Sequence, residues 1–179
     1  MPIPGVGLLV RGIVGYGAVT IAKKSRSGFA PDPTYKSSAT AQGVRGMIAL
    51  RKRHPNLMRR RFLNGKVDKN TGHLDIQWHG RKLAEPCWDD KHSSLLAFTL
   101  GANAKDPVPL HVLMNMSDKR RHFDLPFLEG YEWYCAVDTG KLPPDDISAP
   151  DEQQQVRHAR YLTNSRSLVV LEARKTGEE

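Results

Sequence analysis

From residue 73 onward the chain is a series of short apolar runs separated by turns, and this pattern limits it to a β architecture. Leu74, Ile76 and Trp78 alternate with Asp75 and Gln77, the period of two of a strand with one face turned to a core. Residues 94–100 and 110–116 are denser apolar runs, which predicts central strands covered on both faces. Residues 121–125, 132–138, 160–163 and 167–173 supply further strands. Asn64-Gly65, Thr71-Gly72, Asp106-Pro107 and Leu142-Pro143-Pro144-Asp145-Asp146 mark loops. About seven or eight strands with turns at this spacing predict an all-β fold, an antiparallel β-sandwich of Greek-key type. Residues 145–156, acidic and Gln-rich, read as a mobile loop.

The first third of the chain has a different character. Residues 1–61 hold 12 Lys+Arg and one acid, Asp32, whereas residues 62–179 hold 15 Lys+Arg and 18 acids. The net charge of +8 therefore belongs to the N-terminal arm. Such an arm can meet phosphates, but no aromatic-rich recognition motif is interleaved with it. Residues 3–22 are apolar yet broken by Arg11 and several glycines, which argues against a membrane span. Residues 23–41 have linker composition. Residues 44–54 have helical spacing: Val44, Met47 and Ile48 share a face, basic residues crowd the end, and Pro55 limits continuation. One helix is thus expected before the sandwich.

Taken in order, the C-terminal segments resemble a known family. They are Leu74-Asp75-Ile76-Gln77-Trp78-His79-Gly80, Leu95-Leu96-Ala97-Phe98-Thr99-Leu100, Leu110-His111-Val112-Leu113-Met114-Asn115-Met116, Phe123-Asp124-Leu125-Pro126, Trp133, Asp138-Thr139, and Tyr161 with Ser165-Arg166-Ser167-Leu168-Val169-Val170-Leu171. The series resembles the C-terminal β-domain of glycogen debranching enzymes, the isoamylase branch of the α-amylase superfamily. Residues 44–54, with Arg59-Arg60-Arg61-Phe62-Leu63 after them, look like that family's last barrel helix and exit segment. The implied division is residues 1–41 unmatched, 42–65 helix and linker, 66–174 sandwich and 175–179 tail. A (β/α)₈ barrel takes roughly 250 residues, so a complete barrel and the β-domain do not both fit in 179.

The resemblance implies a non-catalytic accessory domain that supports a separate debranching-enzyme barrel. An α-glucan-binding module is the second reading, and a basic-tailed protein that meets nucleic acid or a membrane surface is the third. A cytoplasmic location and no cofactor are expected. Without a barrel, Met47, Ile48 and Leu50 are not all expected to be covered by one sandwich face, and self-association through them follows.

Chemistry is sparse. Glycoside hydrolysis needs two positioned carboxylates, and in the family these lie on barrel strands, so no catalytic residue is carried over. Asp89 and Asp90 are adjacent and on an extended segment would point to opposite faces. No His or Cys pair has metal-ligand spacing, and His111 reads as a satisfied strand histidine. Cys87 and Cys135 read as free thiols, a disulfide between them being open in principle. What remains is aromatic. Trp88, in a loop after Pro86-Cys87, is a candidate sugar platform, with Trp78 and Trp133 behind it. His79 and Asp89 are candidates to bond sugar hydroxyls. Trp78 and Trp133 also fit strand patterns in which an indole fills the core.

Overall fold

The alternation that begins near residue 73 becomes a sheet. In a computed structural model, which describes residues 33–59 and 62–177, the strands are β1 (Gln77–His79), β2 (Leu95–Leu100), β3 (Leu110–Asn115), β4 (Arg121–Asp124), β5 (Tyr131–Asp138), β6 (Gln154–Val156), β7 (Arg160–Thr163) and β8 (Ser167–Lys175). All their pairings are antiparallel. Six strands form one sheet in the order β1-β2-β3-β8-β5-β6, and β4 pairs with β7 in a second sheet. The fold is all-β and sandwich-like, with one α-helix before it among the described residues.

Side-chain alternation sorts the large sheet into two faces. One row runs Trp78, Phe98, Val112, Val170, Val137 from strand to strand. It belongs to a core shared with Ile76, Leu100 and Leu110. On the other face Ala97, Leu113, Val169 and Leu171 pack with Phe123 and Leu125 from β4 and the residues after it. β2, β3 and β8 are thus buried on both sides, which explains why their sequences are dense rather than alternating.

The helix α1 (Pro33–Arg53) covers the first face. Met47 and Leu50, three apart and so on one side, are buried there with Leu57 from a short 3₁₀ turn, Pro55–Met58. Gly46 permits the close approach, since a Cβ at that position would stand 2.6 Å from Ile147 Cγ2. Pro55 ends the helix as expected. His54 before it is extended, with φ −113° and ψ 91°, and Arg51, Lys52 and Arg53 complement the dipole of the last turn.

Several expectations are corrected. The helix starts at Pro33 rather than near Val44, so residues 33–41 are helical backbone and not linker. Extending a packed helix backward adds one backbone bond per residue and needs no apolar stripe, which is why no period marks it. The N-terminal apolar run and most of the basic arm lie outside the described residues. Residues 145–156 are not a free loop, since they hold a 3₁₀ turn, Pro150–Glu152, and the edge strand β6. Met47 and Leu50 are 2 % exposed, while Ile48 is 43 % exposed. Two of the three apolar residues expected to drive self-association are thus covered by the sandwich, while Ile48, with Val44, is exposed. A polar residue at Met47 would disturb the core rather than leave the sandwich untouched. Cys87 is exposed, Cys135 is buried, and both are free thiols, so no disulfide joins them.

Candidate functional site

β1 and the loop after it carry the aromatic candidates. Trp78 stands opposite Phe98 in the register, its ring centroid 5.3 Å away. Trp88 meets Trp78 edge-to-face at 5.4 Å and remains 55 % exposed. The loop is tied closely. A Cβ on Gly80 would stand 2.5 Å from the Glu85 carbonyl oxygen, Ala84 takes a left-handed φ of 57°, and the Ala84 N–H donates to His79 Nδ1 at 2.8 Å. Asp89 and Asp90 follow Trp88 and are exposed, the Asp90 carboxylate accepting the His92 N–H at 2.9 Å. Trp88 is thus a half-exposed indole backed by Trp78, and Asp89, the next residue, is exposed.

His79 and Trp133 do not belong to that surface. His79 is 1 % exposed, closed in by Thr99, the Ala84 N–H and the His111 ring 5.5 Å away, although Gln77 on the same side of β1 is exposed. Trp133 is 7 % exposed, its Nε1–H donating to the Pro126 carbonyl at 2.7 Å. Both are core residues rather than sugar contacts.

His79 instead starts a buried polar chain. Since the Ala84 N–H donates to Nδ1, the His79 proton sits on Nε2. That nitrogen donates to Thr99 Oγ1 at 2.9 Å, and the Thr99 hydroxyl in turn donates to His111 Nδ1 at 2.9 Å. His111 Nε2 is then left as a buried N–H without a partner, beside the Trp133 ring at 5.7 Å between centroids. His111 is thus half satisfied rather than fully satisfied. Burial lowers the pKa of His79 to about 4. Burial, and then the charge of His79, lower that of His111 to about 3. Both imidazoles are neutral at neutral pH, as the chain of bonds requires.

A second polar cluster locks the helix exit onto β8. Glu172 Oε1 accepts from Arg53 Nη2 at 2.6 Å and lies 2.8 Å from His54 Nε2, and Oε2 accepts from Gln153 Nε2 at 2.8 Å. His54 Nδ1 faces Asp106 Oδ1 at 3.5 Å, and Asp106 Oδ2 accepts the Asn56 N–H at 3.1 Å. No pattern in the sequence marks these roles, because Arg53 and His54 lie more than a hundred positions from Glu172.

A third cluster lies between the two sheets. A β-bulge at Cys135–Val137 shifts the phase of β5, so Cys135 and Asp138, three apart, both reach Tyr161. The Tyr161 hydroxyl donates to Asp138 Oδ2 at 2.9 Å and lies 3.5 Å from Cys135 Sγ. Cys135 and Tyr161 line a cleft of about 680 Å³ bounded by β4, β5, β6 and β7, and Asp138 lies behind them. Three of the buried carboxylates, Asp106, Asp138 and Glu172, are engaged by the donors named above. Among the described residues, no three metal-binding side chains converge, and no helix is long and apolar enough to cross a membrane.

The sequence profile of a family described as Isoamylase 1-3, C-terminal matches residues 77–172. Isoamylase 2, chloroplastic, of Oryza sativa subsp. japonica is 31 % identical over 139 residues, covering 72 % of this chain and 16 % of that protein. Isoamylase SU1, chloroplastic, of Zea mays is 31 % identical over 93 residues, covering 50 % of this chain and 11 % of that protein. The chain therefore spans only a small part of the length of these relatives. Among solved structures, pullulanase from Bacillus acidopullulyticus aligns over 78 % of this chain and 15 % of its own, with 15 % identity and a TM-score of 0.48. The profile matches more than half of the chain and takes in all the sheet strands but the end of β8, so the chain belongs to the family of isoamylase C-terminal domains.

Proposed function

We propose that this β-domain is a non-catalytic accessory unit that holds and orients the barrel of a debranching hydrolase. The observation that carries the reading is the junction of Arg53, His54, Asp106 and Glu172. It welds the end of α1, the segment resembling a barrel exit helix, to the central strand β8 with buried, charge-assisted hydrogen bonds. A helix fixed in this way transmits the position of the sandwich to whatever precedes it. The test is an assay of the purified chain on glycogen and limit dextrin, reading reducing ends. No release above a heat-killed control is expected, and release above it would overturn the reading.

Trp88 favours a second reading, retention of α-glucan. An indole that is half exposed and backed by Trp78 can stack on the apolar face of a sugar ring, with Asp89 beside it to accept hydroxyls. Co-sedimentation with glycogen should then fall to background in Trp88→Ala, while the far-ultraviolet circular dichroism stays unchanged. Equal co-sedimentation by the variant and the parent would remove this reading.

A further inference from the structure

The cleft between the sheets has a one-sided charge. Lys141, Arg157, Arg160, His122 and His158 line it, and no carboxylate does. Arg160 is held by Asp124, Nε to Oδ1 2.8 Å. Arg157 makes a neutral contact, its Nε donating to Gln155 Oε1 at 3.2 Å, and Lys141 forms no ion pair among the described residues. This lining is local, because residues 62–179 as a whole carry more acids than bases. The floor is neutral. Burial pushes the Cys135 thiol up, and burial with the neighbouring Cys135 and Asp138 pushes the Tyr161 phenol up, so both stay protonated. Asp138 lies behind Tyr161, with its carboxylate taken by the Tyr161 hydroxyl and the Gly140 N–H.

Two cations without carboxylate partners, lining a cleft whose floor is uncharged, form an electrostatic trap for an oxyanion. The volume of about 680 Å³ falls in the range of roughly 300–1,000 Å³ usual for small-molecule sites, far more than one phosphate fills. The rest of the lining suits a hydroxylated body, since Gln154 and Gln155 bring amides and Tyr161 brings a ring. We propose that this cleft binds a small phosphorylated sugar, the phosphate between Lys141 and Arg157 and the sugar against Gln154 and Tyr161. The site stands apart from the Trp78–Trp88 surface and does not depend on the accessory role proposed above.

The test is calorimetric titration of the full chain with glucose 6-phosphate, inorganic phosphate and glucose. The sugar phosphate should bind more tightly than either of its parts, and less tightly as salt rises. Lys141→Met and Arg157→Gln should each weaken it about tenfold, the effect of losing one charge-assisted bond, while Lys141→Arg retains binding. Nuclear magnetic resonance shifts should gather at Gln154, Tyr161 and Lys141. Equal affinity for glucose or for inorganic phosphate, parental affinity in both neutral variants, or shifts confined to the basic residues 1–61 would overturn the proposal. Since Lys141→Arg keeps the charge, its behaviour separates loss of the site from loss of the fold.

Discussion

Replacing Glu172 with alanine is expected to lower the unfolding free energy by about 3–5 kcal/mol, the usual consequence of removing one partner from a buried ion pair. The carboxylate is the hub of its cluster. Its loss strands His54, which is 2 % exposed, and Gln153, which is 8 % exposed, and leaves Arg53 half-buried without its anion. Glu172→Gln, which keeps the shape and some hydrogen bonds, should lose less. Urea unfolding followed by tryptophan fluorescence measures both. A loss below about 1 kcal/mol in the alanine variant would mean that the junction behaves like a surface pair and does not fix the helix.

The same cluster gives stability a pH dependence with two arms. For His54, burial pulls the pKa down, but the hydrogen bonds to Asp106 and Glu172 and their charges outweigh it, and the net shift is above the ordinary 6.5. Its contribution is therefore complete below 6.5 and fades as pH rises through the raised folded value. For Glu172, burial pushes the pKa up, but hydrogen bonds from His54 and Gln153 and the charge of Arg53 outweigh it, leaving it below the ordinary 4.5. Its contribution is complete above 4.5 and is lost as pH falls through the lowered folded value. The cluster is thus strongest between about 4.5 and 6.5. In Glu172→Ala the acid arm should vanish, and the alkaline arm should flatten to what Asp106 alone sustains. Parallel stability profiles for parent and variant from pH 4 to pH 9 would show that these groups do not titrate with folding.

What the sequence disclosed and what it hid divide along one physical line. Strands β2, β3, β4, β5, β7 and β8 were legible because strands recur as short runs carrying aliphatic, aromatic or β-branched residues between turns. The two-faced burial of β2 and β3 was legible in their density. Strand β6 was not, because a three-residue edge strand contributes one partly buried apolar side chain, Val156, and otherwise looks like a polar loop. His79 was misplaced for a related reason. Alternation says that Trp78 and His79 face opposite ways, but not that His79 is buried while Gln77, on the same side, is exposed. Glu172 was invisible as a hub because its partners come from α1 and the loops, joined only by the register of β8 beside β3. Asp138 and Tyr161 were hidden by the bulge, which breaks the phase on which counting along a strand relies.

Phe98→Ala should test the other face of the sheet, with an expected loss of about 3–5 kcal/mol in urea unfolding. Phe98 is fully buried. It lies between Trp78 and Val112 in the row that α1 and the 3₁₀ turn cover, so the surroundings are held by the sheet register and cannot collapse freely into the void. Removing its ring also removes the support of Trp78, and through Trp78 that of Trp88, since the three rings are in series at 5.3 and 5.4 Å. Near-ultraviolet circular dichroism reports this order. The coupled indole signal should weaken in Phe98→Ala at temperatures where the sheet is still folded. It should disappear in Trp88→Ala at a stability cost below about 1 kcal/mol, because that side chain is already more than half in water. The two variants therefore separate core from surface along one line of rings. A small stability loss in Phe98→Ala, or an unchanged indole signal in either variant, would show that the aromatic edge is not built on the sheet core.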